Sequence, residues 1–156
     1  MSVESNIKYS IEHYGRDELD GAFIHACIAI DAVAKSRYPL LKNNERNKKF
    51  IDEKMLTITR HGFPGIHATS ISYQFEHHSI RRDDNRSELS EIIYHVLRCE
   101  LLHEAKLSDN LRFVEETVVA DDNNSIILPK TLVKGLIGAV IEDDISLKKK
   151  FGYFLT

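Results

Sequence analysis

Residues 87–107 place the tightest constraint on how this chain can fold. Leu89, Ile92, Ile93, Val96, Leu97 and Leu101 recur at three- and four-residue spacing. That period buries one stripe of a helix and cannot be buried on one side of a strand. Ser87 reads as the N-cap, with Glu88 and Glu91 in the first turn, where the helix dipole favours acid. The helix is predicted to run to about Leu107. The same rhythm appears at Leu19, Ala22, Phe23, Ala26, Cys27, Ile30, Val33 and Ala34. It predicts a helix over 17–36, capped by Asp17 and ended at Tyr38-Pro39, because the residue before proline is pushed out of the α region. Ala22, Ala26, Ala29, Ala32 and Ala34 would let a neighbouring helix approach closely.

Shorter helices fill much of the remainder. Residues 3–14 align Ile7, Ile11 and Tyr14, and residues 44–60 turn Phe50, Ile51, Met55 and Ile58 inward. His61-Gly62-Phe63-Pro64-Gly65 stops that third helix. Over 66–80, Ile66, Ile71, Tyr73 and Phe75 fit either a strand or a short helix, and 81–86 is a charged loop. Leu111–Val119 and Ser125–Leu128 read as two short strands around the turn Asp121-Asp122-Asn123-Asn124. Pro129 can open a last helix with Leu132, Val133, Leu136, Ile137 and Val140 on its apolar side, followed by a polar segment holding Lys148-Lys149-Lys150. No repeat or linker divides the sequence. The fold expected is mainly α, a single helical domain over 1–156 with a small β-hairpin insertion near 111–128.

Composition narrows the function classes. The chain has 156 residues, 42% of them hydrophobic and 29% charged, which suits a globular protein able to bury a core without disulfides or a structural metal. A net charge of −3 argues against a non-specific nucleic-acid coat protein. Cys27 and Cys99 lie in apolar helical patterns and form no Cys-x-x-Cys pair. The N-terminus lacks the charge and apolar run of a signal peptide, and no apolar run approaches the ~18 residues of a membrane helix. The expectation is a cytoplasmic protein without membrane contact.

The segment with chemical potential is Tyr94-His95-Val96-Leu97-Arg98-Cys99-Glu100-Leu101-Leu102-His103. Arg98, four intervening residues and His103, with a tyrosine before the arginine and an apolar pair before the histidine, resemble the HEPN superfamily. The small-residue-rich helix 17–36 adds to the likeness, which covers roughly 17–107. The resemblance implies a HEPN-like helical bundle and a metal-independent endoribonuclease, toxin- or defence-like, with a composite site at a homodimer cleft. In that reading His103 is the general acid or base and Arg98 the phosphate clamp. Tyr94, Cys99 and Glu100 support them, and no metal or cofactor is needed. RNA and an antitoxin-like protein are the implied partners. The position after the arginine is usually polar in active members, and here it is Cys99. The alternative is a non-catalytic dimeric module of the same shape that binds a partner protein or small ligand.

Residue chemistry fits the first reading. Ribonucleic acid carries its own nucleophile in the 2′-hydroxyl, so a proton carrier and a cation suffice. Histidine titrates near neutral pH, and arginine's planar fork matches phosphate oxygens. Plain alternatives stand beside it. His103 has Glu100 one turn back for a surface pair. Arg98 has no acid at i±3 or i±4, so any salt bridge must come from another part of the fold. Five residues leave the two side chains about 140° apart on a straight helix. A shared pocket therefore needs a bent helix end or a second copy. His61, His67, His77 and His78 read as solvated loop histidines rather than metal ligands, and the basic runs Lys48-Lys49 and Arg81-Arg82 as parts of a mixed charged surface.

Overall fold

A computed structural model describes residues 2–75, 80, 86–104, 111–116, 120–122 and 125–156; for Val96, Leu97, Glu104, Ala120 and Asp122 it describes only the backbone. His77, His78, Arg81 and Arg82, the helix end at 105–107 and the strand end at 117–119 lie outside the described residues.

The fold is mainly α-helical. Helix α1 (Val3–Gly15) starts from Ser2, whose hydroxyl accepts from the Ser5 amide at 3.0 Å. It packs antiparallel to α2 (Leu19–Arg37). The turn between them places Asp17 at φ 59, in the left-handed region that aspartate tolerates better than most residues. Asp17 therefore belongs to the turn, and Glu18 occupies the N-cap of α2. Of the predicted small-residue set on α2, Ala22, Ala26, Ala29 and Ala34 are fully buried and Ala32 is exposed.

The predicted helix 44–60 is two helices, α3 (Asn43–Glu53) and α4 (Met55–Gly62), broken at Lys54. Their inward residues Phe50, Ile51, Met55 and Ile58 are buried as the spacing required. Within the ambiguous stretch 66–80, only Ser72–Gln74 is a regular strand among the described residues. β1 (Ser72–Gln74) pairs antiparallel with β2 (Arg86–Glu88), and Ile71, Tyr73 and Phe75 are buried at alternate positions. Ser87 lies inside β2, where its hydroxyl donates to the Phe75 carbonyl at 2.8 Å. The helix begins one residue later, from a capping box in which Glu91 accepts from the Glu88 amide at 3.1 Å.

A second small sheet has the order β3-β5-β4. The expected pairing of 111–119 with 125–128 around a turn at 121–124 is not what forms: β4 (Ala120–Asp122), which takes in Asp121 and Asp122 of that turn, pairs antiparallel with β5 (Ser125–Pro129). β3 (Leu111–Val114) lies on the other side of β5 and runs parallel to it, an arrangement that period-two patterning alone does not predict. Helix α7 (Leu132–Glu142) then enters the centre of the molecule. Leu132, Val133 and every residue from Gly135 to Ile141 are buried, so all of its faces are covered rather than one. Gly62 and Gly135 let α4 and α7 touch through their backbones. Thr131 reinforces the contact by donating to the Gly62 carbonyl at 2.7 Å. The segment holding Lys148–Lys150 is helix α8 (Ile145–Phe151), capped by Asp144 and followed by a 3₁₀ turn, Gly152–Leu155. Among the described residues, no helix is long and apolar enough to cross a membrane.

Candidate functional site

The helix that carries Arg98 is not a regular α-helix. After the short α5 (Leu89–Glu91), residues Ile92–Arg98 form a π-helix, and α6 (Cys99–Glu104) resumes the α form. Seven residues of π-helix are unusual, because such turns occur mostly as single bulges. The i to i+5 spacing also reaches side chains, for Cys99 Sγ donates to the Tyr94 carbonyl at 3.2 Å.

This distorted stretch packs on α2, and there Arg98 finds the distant carboxylate its own helix lacks. Its Nε donates to Asp31 Oδ2 at 3.1 Å and its Nη2 donates to the same oxygen. The two side chains are 16% and 24% exposed, so the pair is largely withdrawn from water. The guanidinium also lies over the Tyr94 ring, 5.1 Å from its centre. Asn43, at the start of α3, donates to the Tyr94 hydroxyl at 3.1 Å. Burial works against the charge of Arg98, but the hydrogen bond and the charge of Asp31 outweigh it and hold the guanidinium protonated more firmly than usual. Burial raises the Tyr94 phenol and pushes the Cys27 thiol, also near this cluster, well above its ordinary range. Asp31 Oδ1 is buried without a hydrogen-bond partner among the described residues, a cost the pair carries.

Of the residues singled out in the sequence, Tyr94, Arg98 and Cys99 therefore meet. His103 does not join them. It is exposed on α6, and no hydrogen bond or ion pair links it to Arg98 among the described residues. Glu100 is half-buried one turn before His103. The divergence follows from helix geometry, since Arg98 faces α2 and the α-helical residues after it carry His103 round to the outside. Asp31 and Asn43 are the site residues that sequence reasoning missed. Asp31 had left a trace, for it falls on the stripe Cys27, Ile30, Ala34, where a charge is out of place unless paired.

The histidines divide differently from the expectation. His61 is not a solvated loop residue. It lies in the last turn of α4, is 13% exposed, and bonds Glu142 at 3.1 Å through Nε2. His67 is exposed. No cluster of three or more metal-ligating side chains occurs among the described residues. Among the described residues, two open grooves of about 550 and 500 Å³ flank α1, and neither of these is lined by Arg98 or His103.

Comparison with known proteins corrects the HEPN resemblance. The family model that matches is Rv1289, over residues 2–149, and no HEPN family matches. The match takes in the β3-β5-β4 sheet as well as the helices, whereas the HEPN likeness rested on an arginine, a histidine and helical context, a pattern short enough to arise by chance. The chain is 23% identical to the uncharacterized protein Rv1289 of Mycobacterium tuberculosis over 147 residues, which span 90% of this chain and 70% of that protein. An uncharacterized protein of Mycobacterium bovis matches to the same extent. No solved structure matches. The chain belongs to the Rv1289 family.

Proposed function

We propose that this chain is a non-catalytic binding module that pairs with a second copy of itself along the seam between α2 and α6. The observation that carries this reading is the commitment of Arg98 to Asp31. A phosphate clamp presents its guanidinium to the ligand, and Arg98 instead directs Nε and Nη2 at one carboxylate and lays its face on Tyr94. Freeing it would leave Asp31 half-buried without its cation, a loss of about 1–3 kcal/mol at this intermediate burial. With His103 turned outward, it and Arg98 do not meet within one chain among the described residues.

The same seam offers apolar contact area. Ile28, one turn before Asp31, and Leu102, one turn after Arg98, are 38% and 45% exposed. Apolar side chains flanking a polar tie on two adjacent helices suit a self-complementary twofold contact, the commonest form of protein self-association.

The test is an RNA cleavage assay with wild type, Arg98→Ala and His103→Ala, over single- and double-stranded substrates. The proposal expects no cleavage above background in any of the three. Cleavage by the wild type that falls roughly 10²-fold or more in both variants would overturn it, because that is the loss a general acid–base residue or a charge-stabilising group produces.

A further inference from the structure

Away from the Arg98 seam, α1 and α2 are joined by two stacked imidazoles. The rings of His13 on α1 and His25 on α2 lie 5.5 Å apart and within 10° of parallel. Gly21 makes room for the stack, since a Cβ there would come within 2.9 Å of the His13 ring. Each ring has its Nδ1 engaged. Asn6 uses its Nδ2 to donate to the Ser2 carbonyl, which leaves Asn6 Oδ1 to accept from His25 Nδ1 at 2.8 Å. His13 Nδ1 lies 2.6 Å from Glu18 Oε2. In the neutral stack both rings therefore carry their proton on Nδ1, and protonation adds a charge at Nε2.

We propose that this stack is a pH-sensitive clip that holds α1 on α2 when His25 is neutral and loosens that contact when both rings are protonated. The groups around it are unequal. From α1 come Asn6 and Tyr9, the latter with its ring 5.5 Å from that of His25, and neither supplies a negative charge. From the turn before α2 comes Glu18, which faces His13 and has Arg16 4.0 Å away. Among the described residues, His13 is the one charged group that acts on His25, and no carboxylate on α2 or α7 offsets it. A second imidazolium would thus sit against the first with a counter-charge on one side only. Burial first, and then the charge of His13, hold His25 below the usual histidine range.

The sign follows from that direction. A base whose pKa is lowered by folding stabilises the fold fully above its unfolded value, about 6.5, and loses that contribution as pH falls through this value toward the folded one. The equilibrium for α1 release should rise up to tenfold for each pH unit by which His25 lies below free histidine.

The experiment is an NMR titration of the imidazoles, with amide hydrogen exchange corrected for intrinsic rates, on wild type, His13→Phe and His25→Gln between pH 7.5 and 5. In the wild type, His25 should titrate below about 6.5, and α1 amides should lose protection at acid pH more than those of α7. In His13→Phe, which keeps a ring but not the charge, His25 should titrate higher and the acid loss should shrink. In His25→Gln the selective loss at α1 should vanish. Titration of His25 at or above about 6.5, or an unchanged α1 profile in either variant, would overturn the proposal. Should His25→Gln fail to fold, the wild-type titration and His13→Phe decide it.

Discussion

At the scale of single residues, paired polar groups tie distant elements together, and their titration links the fold to pH. Glu142 at the end of α7 illustrates this. Burial would raise its carboxyl, but hydrogen bonds from His61 and Thr57, with the charges of His61 and Arg60, outweigh burial and hold it below the ordinary glutamate range. A depressed carboxyl stabilises the fold above its unfolded value, about 4.3, and the contribution is lost as pH falls through the folded value. Unfolding measured by denaturant between pH 6 and 3 should therefore show a decline below about pH 4.5 that is smaller in Glu142→Gln. An identical decline in the variant would place the acid sensitivity elsewhere. His61 was misread in the sequence because its glycine- and proline-rich surroundings suggest a loop, and its partner is 81 residues away. Asp31 was hidden in the same way. Its position on the buried stripe was visible, but nothing in the spacing said that Arg98 would meet it.

At the scale of elements, periodicity located the helices well and their irregularities poorly. The inward faces of α1 to α4 follow the three- and four-residue rhythm, because burial of one stripe is a local property. The π-helix at Ile92–Arg98 left no such signal, for its apolar residues keep a helical rhythm that does not distinguish π from α winding. The parallel pairing of β3 with β5 was equally invisible, since alternation identifies strands and not their partners. The α4–α7 contact is also a tertiary fact, in which Gly135 reads as a weak spot in the helix but is a requirement of close packing. A Cβ at Gly135 would stand 2.5 Å from the Ile58 carbonyl oxygen and 3.0 Å from Gly62 Cα, and backbone cannot swing away. Gly135→Ala should accordingly destabilise the protein by about 1–3 kcal/mol or more, despite alanine's better helix propensity. Thermal unfolding measures this, and an unchanged or raised Tm would mean that the two helices can separate freely.

At the scale of the whole molecule, α1, α2, α4 and α8 pack on α7, and the Asp31–Arg98 pair ties α2 to the stretch that leads into α6, with Ile28 and Leu102 exposed nearby in sequence. If the α2–α6 seam joins two copies, sedimentation at micromolar concentration should give a dimer, and Leu102→Asp should shift it to monomer without loss of helicity. A wild-type monomer would remove self-association from the proposed function. Beneath both lies the role of Arg98, which on the proposed reading belongs to the fold and is not held ready for a ligand. It is tested most directly by the free energy of global unfolding in a double-mutant cycle with Asp31→Ala, Arg98→Ala and the double variant. Each single change leaves the other group partly withdrawn from water without its partner and should cost about 1–3 kcal/mol. The double variant should then be less destabilised than the sum of the two by roughly 2 kcal/mol. Additivity to within about 0.5 kcal/mol would contradict the account, because it would mean that Arg98 and Asp31 do not depend on one another.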